Sequence, residues 1–215
     1  PRDAWVSARH AGLADLPPIT FSAARFSLAV ILLAPLVIRG TLPLPKSVAE
    51  WRLVALTGVL QFSINYSAVF WSEQYISSGL AAVLQASIPV FFLFLAWIFL
   101  PAERITRLKI VAVCTGVVGV AVIFLEQLKL EDWSAFAGSA AIIIGAYAAA
   151  QSSILVKAKG GSIHPAALLW SQMICGLPLI IIYALTAEGN PLSFNWNWRA
   201  VACVLYLAVA GTIAA

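Results

Sequence analysis

The chain has 215 residues, of which 62% are hydrophobic and only 10% are charged, and its mean hydropathy is +0.95. Soluble domains contain about 45–50% apolar and about 25% charged residues, so this chain has too few polar side chains to cover a water-soluble globule. Its formal net charge of +4 is spread over short loops without a dense basic run. The composition therefore predicts a membrane protein. Its expected partner is the lipid bilayer and not a nucleic acid.

Stretches of about 20 apolar residues recur along the chain, and a helix of that length covers the hydrocarbon core of a bilayer. Residues 4–16 have the mixed character of a helix end. The predicted spans are 19–38, 53–72, 79–100, 109–125, 134–156, 165–187 and an unfinished one from residue 199 onward, and the main predicted loops are 39–52, 73–78, 126–133, 157–164 and 188–198. The pattern predicts an all-α fold, a polytopic membrane helix bundle.

The orientation of the bundle follows from its basic residues, because cytoplasmic loops are enriched in Lys and Arg. The loops at 39–52, 101–109 and 157–164 carry most of them, whereas the alternate loops are richer in acids. The first group is therefore predicted to lie in the cytoplasm. The expected location is the cell inner (plasma) membrane, crossed several times.

An internal repeat runs through the chain at a constant offset of 147 residues, which relates Pro18 to Pro165 and Trp51-Arg52 to Trp198-Arg199. Five spans separate a position from its copy, and an odd number reverses the orientation across the bilayer. Such inverted repeats are typical of secondary transporters. Because the chain begins at Pro1 and ends inside an apolar run, we expect a fragment of about seven helices, the first and last partial, from a protein of ten.

Three segments carry a recognisable set of motifs, which read Pro18…Ala24-Arg25-Phe26…Ala29, then Ser78-Gly79-Leu80-Ala81-Ala82-Val83-Leu84-Gln85…Pro89, then Leu100…Glu103-Arg104-Ile105-Thr106. This pattern resembles the EamA family of the drug/metabolite transporter superfamily. The resemblance implies two inverted five-helix repeats, here 1–126 with its N-terminus truncated and 134–215 with its C-terminus truncated. It also implies transport of small metabolites, often amino acids or their derivatives, and frequently export. The chain departs from the usual Leu-Gly-Glu-Arg by reading Leu100-Pro101-Ala102-Glu103-Arg104.

Polar residues inside the predicted spans are the candidates for substrate binding, because they are costly in a membrane and so informative. Arg25 lies about two turns inside its span and could hold a carboxylate or simply anchor the helix. Its repeat mate is Gln172, which favours a shared cavity. The other candidates form groups at helical spacing, namely Gln61, Asn65 and Tyr66, then Gln85 with Pro89, then Tyr147 with Gln151. Trp97 and Trp170 could also line a cavity, but an aromatic side chain in a helical bundle more often serves packing.

Pro89 is expected to interrupt the third span, because it has no N–H to donate to the carbonyl of Gln85. The resulting kink either opens the backbone toward a substrate or is a static bend. For the Gln61–Asn65 pair the alternative is hydrogen bonding between helices. Small residues at Gly116 and Gly138 and their neighbours predict close helix contacts, which would also suit a homodimer.

The leading hypothesis is a secondary transporter that moves a small-molecule substrate by alternating access through a central cavity between the repeats. The alternatives are a multidrug exporter of the same fold and a non-transporting membrane scaffold. No carboxylate is evident at depth, so the coupling ion stays open. Cys114, Cys175 and Cys203 lie in apolar runs without CxxC spacing, so we predict no disulfide, metal or cofactor, and no residue cluster suggests an enzyme.

Overall fold

The computed structural model describes residues 17–40, 43–100, 106–129, 133–161, 163–191, 194 and 196–209. These residues form helices joined by short connections. In chain order the α-helices are α1 Pro18–Ile38, α2 Val48–Gly58, α3 Tyr66–Ser72, α4 Ser78–Gln85, α5 Ile88–Phe99, α6 Arg107–Lys129, α7 Trp133–Lys159, α8 Pro165–Ala187 and α9 Trp198–Ala208, with a π-helical segment Val59–Asn65 between α2 and α3. The prediction of an all-α membrane helix bundle is confirmed.

Five helical stretches of the described chain are long and apolar enough to cross a membrane, namely Pro18–Ile38, Val48–Ser72, Ser78–Phe99, Trp133–Lys159 and Pro165–Ala187. They coincide with five of the predicted spans. The other two predicted spans correspond to shorter apolar helical stretches, Ile110–Ile123 and Trp198–Ala208. The mixed segment at residues 4–16 lies outside the described residues.

Several helices extend further than predicted. Residues 48–52 are helical and not part of a loop, because Ser47 and Glu50 form a capping box in which each side chain accepts a hydrogen bond from the other's backbone N–H. In the same way α6 runs to Lys129 and α7 to Lys159, so the predicted loops 126–133 and 157–164 are too long. At the end of α7 the positive charges of Lys157 and Lys159 stabilise the helix, because they interact favourably with the negative end of its dipole.

The chain divides into two compact units, Pro1–Lys46 with Ile163–Ala215, and Ser47–Ser162. The first unit contains α1, α8 and α9. Helices α1 and α8 pack side by side in opposite directions, and α9 lies against α1. Its apolar core consists of Phe21 from α1 with Ala200, Val204 and Leu207 from α9.

The start of α1 is held by the end of α8. The Glu188 carboxylate accepts hydrogen bonds from Ile19 N at 2.8 Å, Thr20 N at 2.6 Å and Thr20 Oγ1 at 2.7 Å. A helix N-terminus leaves its first backbone N–H groups without partners. Here Pro17 and Pro18 have no N–H, and Phe21 N already donates to the Pro17 carbonyl, so Glu188 satisfies the remaining donors. Gly189 follows with φ +90°, a conformation that suits glycine.

The second unit is organised around α7, which contacts α2, the π-helical segment, α3, α4, α5 and α6. Small residues make these contacts possible. A Cβ added at Gly138 would lie 3.3 Å from the Ser72 carbonyl oxygen, and one added at Gly145 would lie 3.0 Å from the Ala68 Cβ. The predicted small-residue face of this helix is therefore used for close helix packing. It is reinforced by the Ser152 hydroxyl, which donates to the Thr57 carbonyl at 3.0 Å.

Candidate functional site

The third span is two helices and not one. Helix α4 ends at Gln85, α5 begins at Ile88, and Ala86 and Ser87 join them in a tight turn in which Ser87 N donates to the Leu84 carbonyl at 3.0 Å. Pro89 is the second residue of α5, a position where its missing N–H is tolerated. The predicted interruption is therefore present, about 12 Å from the start of the span at 1.5 Å per residue.

The neighbouring span is irregular at the same depth. Its helix passes through a seven-residue π-helical segment, Val59–Asn65, and π-helical turns are rare and frequent at functional sites. Asn65 is buried, and its Oδ1 accepts a hydrogen bond from Gln85 Nε2 at 3.0 Å. The structure therefore joins two of the sequence candidates, each at the end of an irregular stretch.

Gly145 of α7 makes room for this pair. A Cβ at that position would lie 3.2 Å from Asn65 Oδ1 and 3.3 Å from Asn65 Cα, which is tighter than ordinary van der Waals contact. Helix α7 therefore closes over the back of the Asn65–Gln85 hydrogen bond. Glycine at position 145 is therefore required by the Asn65–Gln85 pair as well as by the helix packing.

Two polar atoms at the break lack a protein partner. Gln85 Oε1 and Ser87 Oγ are buried and make no hydrogen bond in the described structure, and Ser87 is only 5% exposed. A buried polar group without a partner costs roughly 1–3 kcal/mol, and native proteins contain few of them. Ser87 was not among the sequence candidates. Its position between Gln85 and Pro89 was the signal that could have identified it.

The remaining candidates of the second unit are aromatic or polar side chains on the helices of that unit. Tyr66 stacks between Phe62 and Phe70, with ring centres 6.1 and 6.2 Å apart. Tyr147 is 39% exposed and meets the ring of Phe91 edge-on at 5.7 Å. Three further candidates are Gln61 and Gln151, which are half-buried, and Pro89, which is exposed.

The candidates of the first unit, Arg25 and Gln172, are both buried. The guanidinium carbon of Arg25 lies 4.4 Å from the centre of the Phe26 ring. Because α1 and α8 run in opposite directions, the helical rise places these repeat mates about 13 Å apart in height. Each lies seven residues after the start of its helix, and the two helices pack against each other.

Two weaker candidates are explained by position. The Trp170 indole Nε1 donates to the Val30 carbonyl at 3.0 Å, so this side chain fastens α8 to α1. Trp97 is 66% exposed on α5. Among the described residues, no group of three or more His, Cys, Asp or Glu side chains could hold a metal ion. His164, by contrast, has a structural role, because its Nδ1 accepts from Ala166 N at the start of α8.

Apolar spanning helices, two irregular stretches at one depth and polar side chains buried beside them are the arrangement of a membrane transport protein. The chain belongs to the EamA-like transporter family, which matches residues 4–125, more than half of its length. The sequence resemblance to this family is thereby confirmed.

The chain is similar to several proteins described as transporters. It is 31% identical over 165 residues to an uncharacterized transporter of Archaeoglobus fulgidus, covering 76% of this chain and 56% of that protein. It is 22% identical to the uncharacterized transporter YoaV of Bacillus subtilis, covering 97% and 70% of the two chains. It is 29% identical to a probable terminal-alkyne amino-acid exporter of Streptantibioticus cattleyicolor, covering 82% and 60%. The chain thus spans little more than half the length of the first of these relatives. No solved structure is significantly similar to it.

Proposed function

We propose that the protein is a secondary transporter that exports small metabolites, amino acids or related compounds, across the plasma membrane by alternating access. Membership of a transporter family supports the general activity, and the name of the Streptantibioticus relative supports the substrate class. No enzymatic activity is part of the proposal. The two repeats to which residues 1–126 and 134–215 belong would then rock around a central substrate cavity.

The structure supports the inverted repeat in one respect. The repeat mates Pro18 and Pro165 each begin a spanning helix, α1 and α8. These two helices run in opposite directions, since Glu188 at the end of α8 binds the start of α1. Copies related by an inverted repeat have this antiparallel relation. The homodimer expected from the small-residue faces stays a prediction.

Arg25 is the observation that carries the substrate proposal. It is 9% exposed and lies seven residues, or about 10 Å, inside an apolar span. A guanidinium at that depth is costly, and such residues commonly mark substrate pathways. Arg is also the residue best suited to hold a carboxylate. We therefore assign Arg25 to the carboxylate of the substrate.

The experiment uses the full-length protein in sealed vesicles loaded with a mixed pool of amino acids and related metabolites. Wild type should deplete a few carboxylate-bearing solutes. Arg25→Ala should slow that efflux roughly 10- to 100-fold, the factor for one hydrogen bond to a charged group. Arg39→Ala is the matched control, because Arg39 is exposed at the far end of the same helix, and it should leave efflux within about twofold.

The outcomes separate the alternatives. Efflux that survives Arg25→Ala would make Arg25 a helix anchor and remove the carboxylate assignment. Efflux of cationic drugs in place of pool solutes would replace the metabolite carrier by a multidrug exporter. If the protein moves neither, the scaffold hypothesis is the better one.

A further inference from the structure

The break between α4 and α5 carries oxygen atoms that can accept further hydrogen bonds. Gln85 Nε2 donates one of its two N–H groups to Asn65 Oδ1, whereas Gln85 Oε1 is buried without a partner. Ser87 Oγ is also buried without a partner. Pro89 has no N–H, so the Gln85 carbonyl lacks the donor that residue 89 would supply in a continuous helix. Gln85 Oε1, the Gln85 carbonyl and the Ser87 hydroxyl can therefore each accept a hydrogen bond from a donor outside the helix.

Several backbone donors at the break are already engaged. Ser87 N donates to the Leu84 carbonyl at 3.0 Å, and Val90 N and Phe91 N both donate to the Ser87 carbonyl, at 2.9 and 3.2 Å. The N-terminus of α5 is consequently poor in free N–H groups and is not suited to an anion. The C-terminus of α4, in contrast, presents carbonyl oxygens and the negative end of a helix dipole. Both features favour a ligand that donates and carries positive charge.

A primary ammonium group fits this set of acceptors. It has three N–H donors and no acceptor, which matches the Gln85 side-chain oxygen, the Gln85 carbonyl and the Ser87 hydroxyl. Ca²⁺ and Mg²⁺ generally take about six or more oxygen ligands, which exceeds the three oxygens identified at the break. In membrane carriers, interrupted helices at mid-depth are the usual place where substrates and ions meet the backbone.

We propose that the break at Ala86–Ser87 binds the ammonium group of the transported substrate, with Gln85 and Ser87 as the side-chain acceptors. This inference rests on the proposed transport function. Asn65 positions the Gln85 amide, because its Oδ1 accepts a hydrogen bond from Gln85 Nε2 and so leaves Gln85 Oε1 as the atom that can accept from a ligand. The substrate is then an amino compound, and its matching hydroxy acid is a poor one.

Ser87→Ala is the sharpest test, because the hydroxyl makes no hydrogen bond in the described structure. A purely structural Ser87 would lose nothing on this change, and the folded protein would keep or gain stability. A Ser87 that binds the ammonium would lose transport of amino substrates. The matched control is Ser153→Ala in the same unit, since the Ser153 hydroxyl is satisfied by the Ala149 carbonyl of its own helix.

The assay measures efflux of paired solutes from vesicles that contain the full-length protein, each L-amino acid beside the α-hydroxy acid with the same side chain. Wild type should prefer the amino acid by at least about tenfold, the factor for one hydrogen bond to a charged group. Ser87→Ala and Gln85→Leu should each reduce amino-acid efflux about tenfold while hydroxy-acid efflux stays within about twofold. Gln85→Glu, which adds a charged acceptor, should keep the preference for the amino acid.

Several results would overturn the inference. Equal loss of both solutes in Ser87→Ala would mean that the break shapes the helix and does not read the ammonium. Equal transport of both solutes by wild type would leave the carrier function intact and remove the ammonium site. A loss in Ser87→Ala that appears only when sodium is present, and not when choline replaces it, would assign the oxygens to a sodium ion. Failure of wild type to move either solute would overturn the proposed function itself.

Discussion

Replacing Glu188 should loosen the beginning of α1, although the two sites are 169 residues apart in the chain. The carboxylate accepts from Ile19 N, Thr20 N and Thr20 Oγ1 at 2.6–2.8 Å. Ile19 and Thr20 are only 1% and 3% exposed, so water cannot take over as their acceptor. The two backbone donors would be left buried and unpaired.

The size of the effect follows from that count. Each unpaired buried N–H costs about 1–2 kcal/mol, so Glu188→Ala should lower the local stability of the first turn by about 2–4 kcal/mol. Glu188→Gln retains one acceptor and should cost about 1–2 kcal/mol. Thr20→Val removes only the hydroxyl bond and should cost about 1 kcal/mol. Because the two residues share a partner, the double variant should cost less than the sum of the single ones.

Amide hydrogen exchange measures this turn directly. A local loss of 2–4 kcal/mol corresponds to roughly 30- to 1,000-fold faster exchange at Ile19 and Thr20, and the Gln variant should give roughly 5- to 30-fold. Glu50→Gln is the control, because it weakens an exposed cap in which water can replace the carboxylate as the acceptor of Ser47 N. Exchange at Ser47 should therefore change by less than about threefold. Exchange at Ile19 and Thr20 within threefold of wild type in Glu188→Ala would refute the assignment.

Two further variants test the helix contacts. Gly145→Ala places a Cβ 3.0 Å from the Ala68 Cβ, which should force α7 outward, reduce the free energy of unfolding by about 1–3 kcal/mol and lower the melting temperature of the purified protein. The control is Gly119→Ala, where a Cβ would have no atom within 4 Å, and it should be neutral or stabilising. Equal melting temperatures for the two variants would contradict the packing argument. Trp170→Phe removes the hydrogen bond to the Val30 carbonyl and should cost about 0.5–1.5 kcal/mol in thermal unfolding, whereas an unchanged melting temperature would show that the indole N–H contributes nothing.

The membrane class and the spans were predictable from the sequence because both depend on local composition. A run of about 20 apolar residues has no stable place in water, whatever lies around it. The effect of Pro89 is also local, since its missing N–H deprives the Gln85 carbonyl of the donor that a continuous helix would supply. The start of α2 at Val48 also depends on a local signal, the capping-box spacing of Ser47 and Glu50, although the neighbouring prolines and charges favour a loop.

The partners of the polar side chains depended on the tertiary structure. Gln85 meets Asn65 because α7, with glycine at position 145, lets two irregular helices lie at one depth. Arg25 and Gln172 share the repeat offset and yet lie at different heights, since their helices run in opposite directions. The partner of α1's first donors, Glu188, stood in a predicted loop far along the chain. Helical periodicity specifies which face a side chain occupies, whereas the height and rotation of the neighbouring helix decide which group it meets.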